Sequence, residues 1–140
     1  MRTVDVGSRL PQMSPADNEK ELAPRAILIV DDEPSIGFLL TEMLQSTGHP
    51  ILTAGSVSEA LTHLKSRPIA VLIVDVQLAG TDGIAFLQQA LEVDSRLLSI
   101  VMTGHGNIEL AVRAMKSGAA DFLTKPFEVE LVRQSVSRLL

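Results

Sequence analysis

Carboxylate, hydroxyl and ammonium side chains stand at the carboxyl ends of four short apolar segments in this 140-residue sequence. Asp31 and Asp32 follow the first segment, Asp75 the third, Thr103 the fourth and Lys125 the fifth, whereas the second segment ends without a polar residue. A carboxylate nucleophile, further carboxylates for a metal ion, an ammonium group and a hydroxyl group are the parts that phosphoryl transfer to an aspartate requires. These residue types therefore predict an acceptor site for a phosphoryl group.

Three carboxylates in one crevice repel one another, so such a site is costly unless a cation is present. Mg²⁺ suits the three aspartates, because it prefers oxygen ligands and keeps several waters that a phosphate can replace. Lys125 would bring a compact positive charge to a phosphoryl oxygen, and the Thr103 hydroxyl would donate a hydrogen bond to it. We therefore expect Mg²⁺ as the cofactor.

Five alternating strand and helix patterns must bring these side chains together. Ser56 before the second helix, Gly48 after the first and Gly118 after the fourth are suitable caps. The strand candidates are residues 26–30, 51–54, 69–74, 98–102 and 122–123. The apolar helix faces comprise Ile36, Leu39, Leu40, Met43 and Leu44; Val57, Ala60, Leu61 and Leu64; Ile84, Leu87 and Leu91; Ile108, Ala111, Val112 and Met115; and the inward-facing set Leu131, Val132, Val136 and Leu139.

Parallel strands need crossover connections, which helices provide on both faces of a sheet. We expect an α/β fold of the flavodoxin-like type: a doubly wound (βα)5 three-layer sandwich whose parallel sheet has the strand order 2-1-3-4-5. In such a sheet, ligands bind outside the carboxyl ends of the strands where the strand order reverses, here between strands one and three. Asp31, Asp32 and Asp75 would converge at that point, with Thr103 and Lys125 to one side.

The composition bounds the domain and its surroundings. Residues 1–24 contain three prolines and no sustained apolar pattern, so we expect a flexible N-terminal tail followed by one domain over residues 25–140. The net charge of −5 argues against direct nucleic acid binding by this chain. There is no cysteine, no apolar run long enough for a membrane span and no signal-peptide pattern. We therefore expect a cytoplasmic protein without a membrane partner.

Each polar feature has a simpler explanation when it is taken alone. The acidic run that begins at Asp31 also fits a solvated turn with a helix N-cap, and Asp75 also fits the opening of a turn. Thr103 and Lys125 are weak signals by themselves. Independent turn residues, however, have no reason to fall on four strand ends at one edge of a sheet, so the combination favours a functional site.

Four stretches of the sequence resemble the receiver domains of two-component response regulators, and the resemblance extends from about Ala26 to Leu140. The last two stretches are most similar to receivers of nitrogen-regulation and nitrogen-fixation transcription regulators. The stretches are Val30-Asp31-Asp32-Glu33-Pro34, Val74-Asp75 with Gly80-Thr81-Asp82-Gly83, Met102-Thr103-Gly104-His105-Gly106, and Asp121-Phe122-Leu123-Thr124-Lys125-Pro126-Phe127.

This resemblance implies a role for each acidic residue. Asp75 would be the phosphoacceptor, Asp32 and Asp75 would ligate Mg²⁺ directly, Asp31 would act largely through water, and the Gln77 main-chain carbonyl would complete the protein ligands. The donor would be a phosphohistidine on a sensor histidine kinase or a phosphotransfer protein. We expect a signalling phosphoacceptor with slow self-dephosphorylation rather than an enzyme.

Further positions are implied to act on the phosphoryl group or its lifetime. Lys125 and Thr103 would contact the phosphoryl group, and Gln77 and His105 would tune how long it survives. A pH-sensitive gate formed by His105 is an alternative to an ordinary exposed loop histidine. Ala79 stands where the family often has proline, which bears on the stiffness of that loop rather than on its chemistry.

Thr103 and Phe122 are expected to lie close together on neighbouring strands, with Phe122 as ordinary core the alternative interpretation. The resemblance implies that phosphorylation draws Thr103 toward the phosphoryl oxygens and that the Phe122 ring then turns inward. A homodimer partner or an output domain would dock on the surface of helix four, strand five and helix five. The expected rim charges of this surface are Arg113, Lys116, Asp121 and Glu130.

Three other functions are alternatives. A phosphatase of the haloacid dehalogenase type also uses an aspartate nucleophile, but it needs a second aspartate two positions on, where this sequence has Gln77. A flavodoxin-like flavin binder needs a hydroxyl- and glycine-rich phosphate loop, whereas Asp31 and Asp32 would repel a phosphate. A purely structural module gives no reason to retain the acidic set. The fifth helix reaches Leu140 without a capping signal, so a receiver cut from a larger regulator is as well supported as a free-standing one.

Overall fold

Five parallel strands form one sheet in the computed structural model, which describes residues 24–78, 81–104 and 107–140. The strand order is β2-β1-β3-β4-β5, as the sequence predicted, with β2 and β5 at the edges. The strands are β1 (Ala26–Val30), β2 (Ile51–Ala54), β3 (Ile69–Asp75), β4 (Leu98–Thr103) and β5 (Asp121–Thr124).

Helices connect the strands and cover both faces of the sheet. A short 3₁₀ helix (Gln45–Thr47) extends the first helix, and the two-residue strands Gln77–Leu78 and Thr81–Asp82 form an antiparallel hairpin after β3. The helices are α1 (Pro34–Leu44), α2 (Val57–Ser66), α3 (Gly83–Val93), α4 (Ile108–Lys116) and α5 (Val129–Leu139).

The apolar side chains form two cores, one on each face of the sheet. All residues of β1 and β3 are buried, as expected for parallel strands with helices on both sides. Residues of α1 and α5 pack on one face, and residues of α2, α3 and α4 pack on the other. This arrangement confirms the predicted three-layer sandwich.

The predicted caps are present. Ser56 precedes α2, and its hydroxyl accepts a hydrogen bond from the Glu59 backbone N–H at 3.2 Å. Gly48 ends the 3₁₀ helix with φ +79°, and Gly118 follows α4 with φ +115°. Both φ values lie in the region that glycine adopts at low cost, so these positions stop their helices.

The structure differs from the sequence predictions in several respects, and β5 extends one residue beyond each end of its predicted range. Strands β3 and β4 each continue one residue further, to Asp75 and Thr103, because the buried ladder extends through these polar residues. The expectation that Leu131 faces inward is wrong, since its side chain is 53% exposed. On α4 the small residues Ala111 and Ala114 are buried, which lets the helix approach the sheet closely and leaves its larger aliphatic residues in solvent.

Several sequence predictions concern residues outside the described ranges. These are the flexible tail, apart from Pro24, together with the roles of Ala79 and His105. Within residues 24–78, 81–104 and 107–140, no helix is long and apolar enough to cross a membrane.

Candidate functional site

Strand pairing aligns the ends of four strands at one edge of the sheet. Val30 of β1 pairs with Val74 of β3, so Asp31 and Asp75 lie side by side. Asp75 in turn pairs with Met102, which places Thr103 one residue beyond it on β4. Thr103 pairs with Thr124, and Lys125 follows directly. The register thus places the predicted polar residues around the point where the strand order reverses.

Three aspartates form a carboxylate cluster at this edge. Asp31, Asp32 and Asp75 each offer one oxygen, and these oxygens lie within 4.8 Å of one another. Asp31 and Asp75 are each only 5% exposed, whereas Asp32 is exposed. Converging carboxylates that are partly open to solvent are suited to a hard divalent cation that keeps some of its waters. The donor set therefore fits a metal ion of the Mg²⁺ kind.

Lys125 bridges the two buried carboxylates. Its Nζ atom lies 2.8 Å from Asp75 Oδ2 and 3.1 Å from Asp31 Oδ2. Burial tends to lower the pKa of Lys125, but hydrogen bonds and attraction from Asp75 and Asp31 outweigh it, so the pKa is raised above its ordinary value. The ammonium group therefore stays charged and partly neutralises the cluster.

Burial destabilises the ionised form of Asp31, and Lys125 does not fully offset this effect. Burial raises the pKa of Asp31 above its ordinary value, although a hydrogen bond from the Glu33 backbone N–H and the Lys125 ammonium act in the opposite direction. The Asp75 charge adds to the increase. The ionised Asp31 is thus less favourable in the folded chain than in water, and a bound cation would relieve this cost.

Backbone contacts fix the Asp75 carboxylate and the loop behind it. Asp75 Oδ1 accepts a hydrogen bond from the Gln77 backbone N–H at 2.8 Å, while Oδ2 faces Lys125. Gly83, the first residue of α3, packs so tightly that a Cβ atom there would lie 2.4 Å from the Asp75 carbonyl oxygen. Asp82 caps α3 by accepting a hydrogen bond from the Ile84 backbone N–H at 2.9 Å.

The supporting roles of Asp82 and Gly83 were missed in the sequence, where they appear only within a stretch that resembles the receiver family. An aspartate and a glycine directly before a helical pattern are the signal that could have identified the cap. The clearance around Gly83 depends on how α3 approaches β3, so the sequence pattern alone does not reveal it.

Thr103 is a buried hydroxyl that lacks a hydrogen-bond partner among the described residues. Its side chain is fully buried, and Ser99, four residues earlier on β4, is the other buried side chain in these ranges with this property. Buried polar groups are normally paired. A hydroxyl at the end of β4, one residue beyond the partner of Asp75, is therefore well placed to donate to a ligand oxygen.

Phe122 is not ordinary core, so that interpretation is wrong. Its side chain is 38% exposed on the edge strand β5, where it pairs with Val101 two positions before the Thr103–Thr124 pair. Several large apolar side chains of α4 and α5 are exposed nearby. The exposed apolar side chains on α4, β5 and α5 are Ile108, Val112, Met115, Phe122, Val129 and Leu131.

Two of the four expected rim charges already have partners within the domain. Asp121 accepts a hydrogen bond from the buried Ser135 hydroxyl at 2.6 Å and forms an ion pair with Arg138. Glu130 lies 3.9 Å from the Arg133 guanidinium group. Arg113 and Lys116 are exposed on α4. Asp121 therefore holds α5 against β5, in addition to any role at an interface.

A pocket of about 430 Å³ opens beside the carboxylate cluster, between α1 and the carboxyl end of β2. Asp31 and Asp32 line its inner end, and Phe38, which is 71% exposed, lines its outer part. This pocket was not predicted from the sequence. The exposed Phe38 ring and the two aspartates thus line the same pocket.

Comparison with known proteins identifies the family. The response regulator receiver domain model matches residues 27–137. The chain is 37% identical over 119 residues to the C4-dicarboxylate transport transcriptional regulatory protein DctD of Pseudomonas aeruginosa, covering 84% of this chain and 26% of that protein. The solved receiver domain of NtrX from Brucella abortus has a TM-score of 0.78 and 36% identity, covering 81% of this chain and 97% of that one.

The chain belongs to the response regulator receiver domain family of bacterial two-component systems, a family of signalling domains that accept a phosphoryl group. This confirms the resemblance seen in the sequence, including its similarity to nitrogen regulators: the DNA-binding transcriptional regulator NtrC of Escherichia coli is 35% identical over 115 residues, 79% of this chain and 24% of that protein. The phosphatase, flavin-binding and structural alternatives find no support. The chain spans about a quarter of the length of these curated relatives.

Proposed function

We propose that Asp75 is the phosphoacceptor of this receiver domain and that Mg²⁺ assists the transfer. The observation that carries the proposal is the contact of Asp75 Oδ2 with Lys125 Nζ at 2.8 Å, within a cluster of three carboxylates. Asp32 and Asp75 would hold the metal ion directly through their side chains, Asp31 largely through water, and Gln77 through its main-chain carbonyl. Mg²⁺ would neutralise the negative charge that the carboxylates and phosphoryl oxygens bring together.

The proposed transfer begins with attack of an Asp75 carboxylate oxygen on the phosphorus of a phosphohistidine. The new bond joins Asp75 to phosphorus, the phosphorus–nitrogen bond breaks, and the departing imidazole takes up a proton from solvent. Lys125 then moves its hydrogen bond from the Asp75 oxygen to a phosphoryl oxygen, since the phosphorylated Asp75 is no longer a free carboxylate. Thr103 donates its hydroxyl, which has no partner among the described residues, to another phosphoryl oxygen.

The donor is proposed to be a sensor histidine kinase or a phosphotransfer protein. The pocket beside α1 supports this, because the exposed Phe38 ring gives such a partner an apolar contact next to the carboxylates. We propose that the domain meets this partner in the cytoplasm. Hydrolysis of the acyl phosphate is proposed to be slow self-dephosphorylation.

The output is proposed to leave through the surface formed by α4, β5 and α5. Movement of Thr103 toward the phosphoryl oxygens would free space beside β5, and the half-exposed Phe122 ring would turn into it. The exposed apolar side chains of α4 and α5 then present a changed surface to a second copy of the chain or to an output domain. Such a shift is only as large as the difference in phosphoryl contacts between the two states.

Incubation with acetyl phosphate and Mg²⁺, followed by intact-mass analysis, tests the acceptor. The native chain should gain one labile phosphoryl group, and Asp75→Asn should gain none. Asp94→Asn is the matched control. Asp94 follows the carboxyl end of α3, at the end of the sheet opposite the carboxylate cluster, so its loss should leave phosphoryl uptake unchanged. Uptake by Asp75→Asn equal to that of the native chain would show that the acceptor is another residue.

A further inference from the structure

A second pocket lies at the amino ends of β1, β3 and β4, at the end of the sheet opposite the carboxylate cluster. It has a volume of about 510 Å³. Three guanidinium groups line it, from Arg25, Arg67 and Arg96, and among the described residues the carboxylate of Asp94 is the one negatively charged group in its lining. The lining is therefore positively charged, in a chain whose net charge is −5.

Reciprocal contacts with the backbone hold Arg25 and Arg67 in this pocket. Arg25 Nη2 donates a hydrogen bond at 3.2 Å to the carbonyl oxygen of Ile69, two residues beyond Arg67. Arg67 Nη2 donates one at 3.3 Å to the carbonyl oxygen of Pro24, one residue before Arg25. Each contact uses one of the five N–H donors that a guanidinium group carries. The two like charges share one pocket, where they repel each other unless an anion is present.

The third guanidinium group, that of Arg96, comes from the loop between α3 and β4. Its Nε atom lies 3.6 Å from Asp94 Oδ1, and its side chain is 86% exposed. An exposed ion pair of this kind contributes little to stability. The Arg96 side chain can therefore exchange the carboxylate of Asp94 for a ligand oxygen at little cost.

The carboxyl ends of α2 and α3 explain part of this charge distribution. Arg67 directly follows α2, and Arg96 follows α3 by three residues, so both complement the negative end of a helix dipole. Arg25 precedes β1 and follows no helix. Helix dipoles therefore do not explain why its guanidinium group lies in the same pocket.

Apolar side chains form much of the remaining lining, and two of them are exposed. Val93 is the last residue of α3, and Leu98 is the first residue of β4. Apolar walls combined with a few convergent charged groups, in a pocket of this volume, are typical of sites for small molecules. The lining thus suits a ligand that has both an anionic group and an apolar body.

We propose that this pocket binds a phosphomonoester. Its phosphate group contacts the guanidinium groups of Arg25, Arg67 and Arg96. Its apolar body lies against the side chains of Val93 and Leu98. The planar guanidinium group matches two phosphate oxygens at once, which favours a phosphate over a spherical anion. Because a phosphomonoester carries close to two negative charges at neutral pH, it relieves the repulsion among the three guanidinium groups.

NMR titration of the full chain with phenyl phosphate tests the site, in the presence of EDTA so that the carboxylate cluster holds no metal ion. The backbone amides of Leu97 and Leu98 in the pocket lining should shift and reach saturation. Inorganic phosphate should shift the same amides but bind more weakly, because it lacks the apolar body. Equal affinity for the two probes would overturn the proposed contact with the apolar wall and identify a site for free phosphate instead.

Variants of the charged groups test the guanidinium contacts, with Arg113→Gln on α4 as the matched control. Arg96→Gln should weaken the binding of phenyl phosphate about twofold to fivefold, as expected for the loss of one exposed charge contact, and Arg113→Gln should leave it unchanged. Asp94→Asn should strengthen binding because it removes the competing carboxylate, while its side-chain oxygen still accepts the hydrogen bond from the Arg96 backbone N–H. The absence of saturable shifts at Leu97 and Leu98, or equal affinity in Arg96→Gln and the native chain, would overturn the proposal.

Discussion

Replacing Asp31 by asparagine should separate the electrostatic cost of the carboxylate cluster from its benefit. Asparagine keeps an oxygen that accepts the hydrogen bond from the Glu33 backbone N–H, so the local turn is preserved. Because burial raises the pKa of Asp31, the ionised side chain destabilises the metal-free folded state at neutral pH. We therefore expect the metal-free variant to be equally or more stable than the native domain at pH 7.

The charges around Asp31 determine how much the free energy of unfolding should change in Asp31→Asn. At an effective dielectric constant of about 20, the Lys125 ammonium at 3.1 Å attracts the carboxylate by about 5 kcal/mol. The Asp75 carboxylate, with oxygens within 4.8 Å, repels it by about 3 kcal/mol. The remaining attraction of about 2 kcal/mol is smaller than the several kcal/mol that burial of a carboxylate costs. We therefore expect Asp31→Asn to raise the free energy of unfolding of the metal-free domain by about 1 kcal/mol.

With Mg²⁺ bound, the native domain should become more stable than Asp31→Asn. At a metal concentration about 100 times the dissociation constant, binding to the native state contributes about 2.7 kcal/mol. For a domain of this size, that corresponds to a rise of roughly 10 °C in the melting temperature. Asp31→Asn lacks one of the three carboxylates, so it should gain only a small part of this increase.

Melting curves of both proteins with EDTA and with Mg²⁺ measure these effects, and Glu92→Gln on the exposed side of α3 is the control for loss of one negative charge. The folded state holds the Asp31 proton more tightly than the unfolded state, so the variant's advantage should be largest at neutral pH and shrink as pH falls through the raised pKa. A variant that melts several degrees lower without metal, or that gains as much from Mg²⁺ as the native chain, would refute the reasoning.

The remaining predictions concern three other positions. Gly83→Ala should lower the free energy of unfolding in a urea titration by about 1–3 kcal/mol, because the new Cβ atom would overlap the Asp75 carbonyl oxygen. Gly55→Ala is the control and should have little effect, because a Cβ atom there would lie 3.9 Å from its nearest neighbour. Because the pKa of Lys125 is raised, its ammonium group stabilises the fold at pH values below its ordinary pKa of 10.5, and this stability is lost as the pH rises through the raised pKa. A Lys125→Met variant should therefore lack this alkaline loss of stability in chemical denaturation. Thr103→Ala should still accept a phosphoryl group on Asp75 but lose most of the change at β5 and α4, as amide chemical shifts with beryllofluoride and Mg²⁺ would show; equal shifts in both proteins would contradict the coupling.

The fold and the location of the site could be predicted because both follow from short-range patterns. The continuous apolar runs of β1 and β3 indicate buried parallel strands, and the polar residues after them mark the strand ends. Once the sheet is parallel, Asp31, Asp75 and Lys125 must lie at one edge. No side-chain contact is needed for this inference.

The contacts within the site could not be predicted, because they depend on register and on how closely the helices approach. The bridge from Lys125 to two carboxylates and the lack of a partner for the Thr103 hydroxyl among residues 24–78, 81–104 and 107–140 depend on how β4 and β5 pair. The outward position of Leu131 likewise depends on how α5 packs, since its apolar pattern admits more than one inward face. Periodicity gives the helix, and packing decides which side chains it buries.

The contacts of Lys125 and Thr103 direct any movement of these side chains toward β4 and β5. Lys125 and Thr103 are tied to each other by the hydrogen bond from the Lys125 backbone N–H to the Thr103 carbonyl at 2.9 Å, so a movement of either side chain acts on the junction of β4 and β5. Strand β2, the edge strand on the other side of the sheet, ends in the buried Ala54, which has no polar side chain. Since β5 is an edge strand with the half-exposed Phe122, displacement there meets less packing than in the centre of the sheet. If Asp75 is the phosphoacceptor, as we propose, a phosphoryl group there would act most readily on β5 and its flanking helices.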